Sequence, residues 1–249
     1  MAEDEYYQQF LGRDSLMPLY SRQVVASARL LLADDAQLKV EAYHKAYRDF
    51  PQDRIRQTSF LVDQIGLEYF ENLPLVVAST GRAESNGLEL TLQKRLVKGF
   101  YGLLTAAWSS SRYEDQWGKW RPRAFDNRGL VAVSGGYKPS PAWEFSARWI
   151  YAGGQPYSPV DPSRSELWGQ TILDFEQVNM ARFPDYHSLN IRVDRRFSFS
   201  GSNLAVYLSI WNLYDRRNVF EFYWNIVEER EDAFYQWGII PLIGLEYEF

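Results

Sequence analysis

The chain has 249 residues, of which 46% are apolar and 16% aromatic, and its net charge of −5 lacks the basic stripe expected of a nucleic-acid partner. It has no Cys, so disulfides, thiol chemistry and thiolate metal sites are excluded. No stretch approaches the ~18 consecutive apolar residues of a membrane helix, so a bilayer could be crossed only by strands whose alternate residues face lipid.

Residues 1–20 read as a lead-in segment. The first strand pair is Ser21 to Leu32 and Gln37 to Phe50, joined by the tight turn Ala33-Asp34-Asp35-Ala36. Val24, Ala26, Ala28, Leu30 and Leu32 share one face of the first strand; Leu38, Val40 and Ala42 share one face of the second. An irregular segment from Pro51 to about Arg82 follows. The second pair is Glu84 to Leu96 and Phe100 to Ser111, joined by Val97-Lys98-Gly99. A connection holding Trp117, Trp120 and Pro122 leads to a third pair, Asn127 to Tyr137 and Trp143 to Tyr151, joined across Lys138 to Ala142. The stretch from Ala152 to Asp185 is punctuated by Gly153-Gly154 and several prolines. The fourth pair is Tyr186 to Phe199 and Asn203 to Tyr214, joined by Ser200-Gly201-Ser202. A variable segment runs to about Gly238.

The chain closes on Ile243-Gly244-Leu245-Glu246-Tyr247-Glu248-Phe249, with apolar and polar residues on opposite faces and an aromatic residue last. This gives about nine strands of roughly 9–14 residues, near the length that crosses a bilayer at a tilt. Short turns alternate with long connections, as in an outer-membrane barrel with short periplasmic turns and long external loops. A soluble β-sandwich also alternates, but its strands are shorter and its loops do not sort by length. The predicted fold is therefore all-β, an antiparallel transmembrane barrel segment of about 9–10 strands. The alternation predicts that Leu189, Ile191, Val193, Leu204, Val206, Leu208, Ile243, Leu245 and Tyr247 face lipid. Asn190, Arg192, Tyr207, Glu246 and Glu248 then face the interior. Met1 to Tyr7 shows neither a basic n-region nor an apolar h-region, so no secretory signal is visible. An outer-membrane protein needs one, which implies a mature chain or a portion of a longer gene product.

Several segments resemble those of TonB-dependent outer-membrane receptors. They are Leu92-Gln93-Lys94-Arg95-Leu96 with Phe100-Tyr101-Gly102, and Trp120-Arg121-Pro122 followed by Phe125-Asp126-Asn127-Arg128. They continue with Arg148-Trp149-Ile150-Tyr151-Ala152-Gly153-Gly154-Gln155-Pro156-Tyr157, then Asp185 to Phe197, then Trp211-Asn212-Leu213-Tyr214-Asp215-Arg216-Arg217-Asn218-Val219. The ordered set spans about Ser21 to Phe249 and is most similar to receptors that carry a carboxypeptidase-regulatory-like domain before the plug. The resemblance implies that residues 21–249 are the C-terminal part of a 22-stranded barrel. The plug and the TonB box are not seen in the sequence. It further implies import of a scarce ligand (siderophore, metal complex, vitamin or glycan). The implied partners are outer-membrane lipid, the barrel-assembly machinery and, through a plug, the TonB complex. The rivals are a small standalone porin-like barrel and a soluble β-sandwich binding module.

No catalytic, metal or cofactor residues are expected. His44 and His187 lack ligand-spaced neighbours, and neither a nucleophile elbow nor a phosphate loop is present. The run Glu228-Glu229-Arg230-Glu231-Asp232 reads as a solvated loop tip. Trp117, Trp120, Tyr157 and Trp168, in predicted external loops, are the candidate ligand-binding residues, because aromatic faces near Arg or Asp suit sugar-like or siderophore-like ligands. Phe249, with Tyr247, is the candidate assembly signal.

Overall fold

The computed structural model describes residues 16–54, 60–63 and 77–249. Its strands are β1 (Tyr20–Ala33), β2 (Ala36–Asp53), β3 (Val77–Val97), β4 (Phe100–Glu114), β5 (Trp120–Pro122), β6 (Gly129–Ser140) and β7 (Trp143–Ala152). They continue as β8 (Pro156–Tyr157), β9 (Ala181–Arg182), β10 (Tyr186–Phe199), β11 (Ser202–Trp211), β12 (Val219–Asn225), β13 (Arg230–Tyr235) and β14 (Ile240–Glu248). Among the described residues, a short α-helix, α1 (Pro162–Trp168), lies between β8 and β9, and a 3-10 turn spans Leu61–Asp63.

Nine long strands form one antiparallel sheet in the order β1-β2-β3-β4-β6-β7-β10-β11-β14, and β5 pairs with β4. Each expected strand is present. Two-residue turns at Asp34-Asp35, Lys98-Gly99, Pro141-Ala142 and Ser200-Gly201 lie at one end of the sheet, and the long connections lie at the other. Lys98 and Gly99 both take positive φ, 52° and 84°, the backbone that a tight hairpin needs to match strand twist. β1 and β14 are the edges, so the described residues form an open antiparallel sheet.

Boundaries differ where strands are longer than a bilayer crossing needs. β2 has 18 residues and β3 has 21, against the roughly 9–11 that a tilted strand needs to cross. Their extra length lies at the long-connection end, so the segment expected to be irregular from Pro51 to Arg82 is shorter than expected. The rest of that expectation, including Gly66 and Pro74, lies outside the described residues, as do residues 1–15. β11 stops at Trp211 rather than Tyr214, because Asn212 and Asp215 turn the chain with positive φ. The variable segment before the last strand is itself ordered, as the β12–β13 hairpin.

The register sets the two faces, since directly paired residues of antiparallel strands lie on the same side. One apolar row runs Leu30, Leu38, Leu92, Leu104, Val133, Trp149, Leu189. Another runs Phe145, Val193, Leu208, Ile243. These rows put Leu189, Ile191, Val193, Leu204, Val206, Leu208, Ile243, Leu245 and Tyr247 on one face, with Arg192, Tyr207 and Glu246 on the other.

The inner face carries a polar network near the turns. Tyr101 Oη donates to Glu144 at 2.6 Å, and Glu144 also pairs with Lys138 and Arg196, each at 3.0 Å. Arg192 pairs with Asp194 and stacks on the Tyr207 ring at 3.7 Å. Three inward tyrosines lie across glycines directly opposite them: Tyr43 on Gly87, Tyr101 on Gly136 and Tyr207 on Gly244. A Cβ at Gly244 would meet the Tyr207 ring at 2.1 Å, and one at Gly87 would meet Tyr43 at 2.4 Å. Each glycine is thus the floor on which a flat ring rests. Gly244→Ala is therefore expected to cost about 1–3 kcal/mol by overpacking. Adding Tyr207→Ala should recover part of that loss, and the heat-modifiable folded fraction of the protein reads both effects.

Candidate functional site

Chemistry concentrates at the long-connection end of the sheet, on its inner side. Tyr47, Ala83, Tyr113 and Arg121 share one inward row. Phe60, from the first long connection, stacks on Tyr113 at 5.8 Å and packs beside Phe50 at 5.3 Å. Phe60, Ala83 and Tyr113 form a small buried core here, with Tyr47 and Phe50 packed against it. The protruding ends of β2, β3 and β4 thus pack a connection over the mouth of the wall instead of crossing lipid.

Three Arg–Asp pairs organise the connections: two join one connection to another, and the third, within the second connection, reaches the third through backbone carbonyls. Arg121 and Asp115 are both almost fully buried, with Nε donating to Oδ2 at 2.7 Å. Asp115 Oδ1 accepts the N–H groups of Trp117 and Lys119, while Arg121 Nη1 donates to the carbonyls of Glu176 and Val178 in the third connection. Burial disfavours the Asp115 carboxylate, but the Arg121 hydrogen bond and the two backbone N–H groups outweigh it. The carboxyl therefore sits below its ordinary value. Arg123 forks onto Asp63 and lies over Phe60 at 5.0 Å, joining the first and second connections. Burial opposes the Arg123 charge, and Asp63 more than offsets this, raising its pKa. Arg182 Nη2 donates to Asp126 Oδ2 at 2.5 Å, while Asp126 Oδ1 accepts the Ser111 N–H. Asn179 Nδ2 donates to the Pro122 carbonyl at 3.0 Å, tying the same connections again.

The four candidate aromatics separate into two kinds. Tyr157 stacks with Phe183 at 4.4 Å and Phe222 at 5.0 Å, which joins β8 to the β12 hairpin. Trp120 is 38% exposed, with Arg112 over its ring at 4.9 Å. Trp117 and Trp168 are 63% and 69% exposed. Trp168 ends α1, whose N-cap Asp161 accepts from the Arg164 N–H and whose C-cap Gly169 takes φ 60°. Among the described residues, none of these four rings stacks on another of the four. His44 Nδ1 meets Asn86 and His187 Nδ1 meets Tyr214, each at 2.7 Å. In the acidic run, Arg230 lies between Glu228 and Asp232. Tyr247 is 59% exposed and Phe249 fully exposed, their rings 6.2 Å apart.

The Arg–Asp pairs were not anticipated as a site. Arg121 and Asp126 stand in the quoted segments around Trp120 and Asp126, but the other four residues do not, and no spacing rule links each residue to its partner.

Residues 3–213 match the family model described as TonB dependent receptor-like, beta-barrel. No curated protein sequence matches the chain. Among solved structures, the ferric-catecholate import receptor Fiu from K12 E. coli superposes with a TM-score of 0.62 at 11% identity, over 92% of this chain and 28% of its own. FpvA of P. aeruginosa, solved with bound pyoverdines, gives 0.63 at 10% identity, over 93% and 27%. The ferric yersiniabactin uptake receptor FyuA from Yersinia pestis gives 0.57 at 16% identity, over 92% and 29%. The chain thus spans less than a third of the length of these receptors.

Breaking the Arg121–Asp115 pair from one side leaves a buried charge. Asp115→Asn should loosen the third connection by about 3–5 kcal/mol, seen as faster proteolytic nicking between 153 and 185 in the assembled receptor. Because the folded-state pKa of Asp115 is depressed, its contribution is complete above the ordinary carboxylate value of about 3.9 and is lost only as pH falls through the lower folded value. Protection should hold steady from neutral pH to about 5 and fall only in stronger acid.

Proposed function

This chain belongs to the TonB-dependent receptor β-barrel family, and from that membership we propose that it forms part of the wall of a receptor importing a scarce ligand across the outer membrane. The family's members are outer-membrane proteins, and the apolar outer rows fit that setting. The observation that carries the reading is the sorting of connections: tight turns at one end, and long connections joined to one another by the Arg123–Asp63 and Arg182–Asp126 pairs at the other. A mouth stiffened in this way can hold ligand-facing side chains in place over a polar inner wall. The proposed ligand is a siderophore or other metal complex, with vitamins and glycans as further members of the class. Coupling to TonB would run through a plug outside the described residues, and the chain's own residues carry no covalent step.

Residues 21–249 are proposed as the C-terminal part of the barrel, after a lead-in over 1–20. Trp117 and Trp168 are proposed as the ligand-contacting aromatics, on the strength of their exposure at the mouth. Trp120, under Arg112, and Tyr157, packed with Phe183 and Phe222, are proposed as further parts of the same ligand-facing surface. Tyr247 and Phe249 are proposed as interfacial anchors and as the signal read by the barrel-assembly machinery.

The test is uptake by the complete receptor, expressed in a strain lacking its own iron-chelate receptors. Accumulation of a ferric siderophore that an uncoupler abolishes is the expected result. Uncoupler-insensitive permeation of small solutes would favour a porin-like barrel instead. Trp117→Ala with Trp168→Ala should weaken binding by about 1 kcal/mol each, with surface yield unchanged. Deleting Phe249 should lower surface-exposed receptor in whole cells, and unchanged yield would remove the assembly role.

A further inference from the structure

On the outward rows of β7, β10, β11 and β14, the pairings place Trp143, Phe145, Ala147 and Trp149; Leu189, Ile191, Val193, Arg195 and Phe197; Leu204, Val206, Leu208 and Ile210; and Ile243, Leu245 and Tyr247. Arg195 is the one charged side chain among them. Its pairing partners on either side are Trp143 and Val206, and Val206 in turn pairs with Leu245. A cation on an apolar face is costly unless something answers its charge.

Its depth is fixed by the register. Trp143 is the first residue of β7, directly after the turn that ends β6, and the Arg196 N–H donates to the Ala142 carbonyl of that turn at 2.8 Å. Arg195 therefore lies level with a short turn. In a barrel of this plan, that is the periplasmic rim, where the inner-leaflet headgroups lie. Its guanidinium is held between two rings, 4.7 Å from the Trp143 centroid and 5.1 Å from that of Phe197. Trp143 is itself stacked on Phe145 at 5.9 Å. These contacts fix the planar group but supply no negative charge. Among the described residues no carboxylate lies within ion-pair distance of it. Lys94 makes the contrast: it too lies on an outward row near a turn, and Asp35 of the neighbouring turn neutralises it.

We propose that Arg195, held between Trp143 and Phe197, binds the phosphate of an anionic phospholipid in the inner leaflet of the outer membrane. The fork of an Arg matches a phosphate with two N–H donors, and the flanking rings lie where the glycerol backbone and upper acyl chains would run. A net anionic headgroup is favoured over a zwitterionic one, because the latter brings its own ammonium to its phosphate. The proposal rests on the reading that this face meets lipid.

The complete receptor, extracted from outer membranes in a non-ionic detergent, is examined by native mass spectrometry. The added lipids are equimolar phosphatidylglycerol and phosphatidylcholine of the same chain length. Wild type should retain phosphatidylglycerol in preference to phosphatidylcholine, and Arg195→Gln should reduce that retention by about tenfold. Arg195→Lys, which keeps the charge without the fork, should fall in between. Equal retention of both lipids by the wild type would overturn the proposal, and that comparison needs no variant to fold. Unchanged phosphatidylglycerol retention in a folded Arg195→Gln receptor would also overturn it. Displacement by millimolar inorganic phosphate would mark a free-anion site and count against the lipid. Failure of the underlying reading would look different: no phospholipid of either kind, on a receptor that stays monodisperse without detergent.

Discussion

Backbone satisfaction in lipid governs the rest of this structure. A strand in hydrocarbon has no water for its N–H and C=O groups, so each strand must take all its partners from its two neighbours. That requirement is met by an antiparallel ladder in sequence order, with neighbours joined by tight turns at one end and long connections at the other. It also fixes the register, because a slip of one residue would send every apolar side chain inward and every charge into lipid. The rows from Leu30 to Leu189 and from Phe145 to Ile243 are that constraint written in side chains.

The same constraint sorts polar chemistry by place. Charges within the span gather on the inner face, where Glu144 meets Tyr101, Lys138 and Arg196, and where Arg192 bridges Asp194 and Tyr207. Small residues there have a purpose too. Gly87, Gly136 and Gly244 leave room for tyrosine rings to lie flat across the pleat, covering backbone that a narrow side chain would leave open. Beyond the bilayer the rule relaxes, and the connections fold as a small water-soluble domain would. They have a little aromatic core at Phe60 and Tyr113, and buried Arg–Asp pairs whose remaining donors reach backbone carbonyls.

Those pairs matter because a buried ion pair specifies geometry more than it stabilises. Arg121 can satisfy Asp115, Glu176 and Val178 together only if the second and third connections sit in one arrangement. Arg123 and Arg182 impose the same demand on their neighbours. The result is a mouth whose loops are long yet mutually fixed, the property that the proposed ligand role calls for. Exposed Trp117 and Trp168 stand on this fixed ground, while Tyr157 is part of it.

How much of this was legible in the sequence follows from the range of each interaction. Strand alternation is local: the period of two in Leu204 to Ile210, or in Ile243 to Tyr247, needs no tertiary knowledge, so the strands, the turns and the two faces could be read directly. Turn chemistry at Lys98-Gly99 and Ser200-Gly201 is local as well. The extra length of β2 and β3 was not legible, because Asp49 to Asp53 and Val77 to Gly81 are held by pairing and by packing under Phe60 rather than by their own pattern. Nor was the order within the last two connections, where rings from Tyr157, Phe183 and Phe222 meet across large sequence separations. Sequence by itself determined the wall, since lipid reads each strand two residues at a time. Only the tertiary structure decided the mouth and the setting of Arg195, because a charge's partner, or the lack of one, depends on what the folded chain brings beside it.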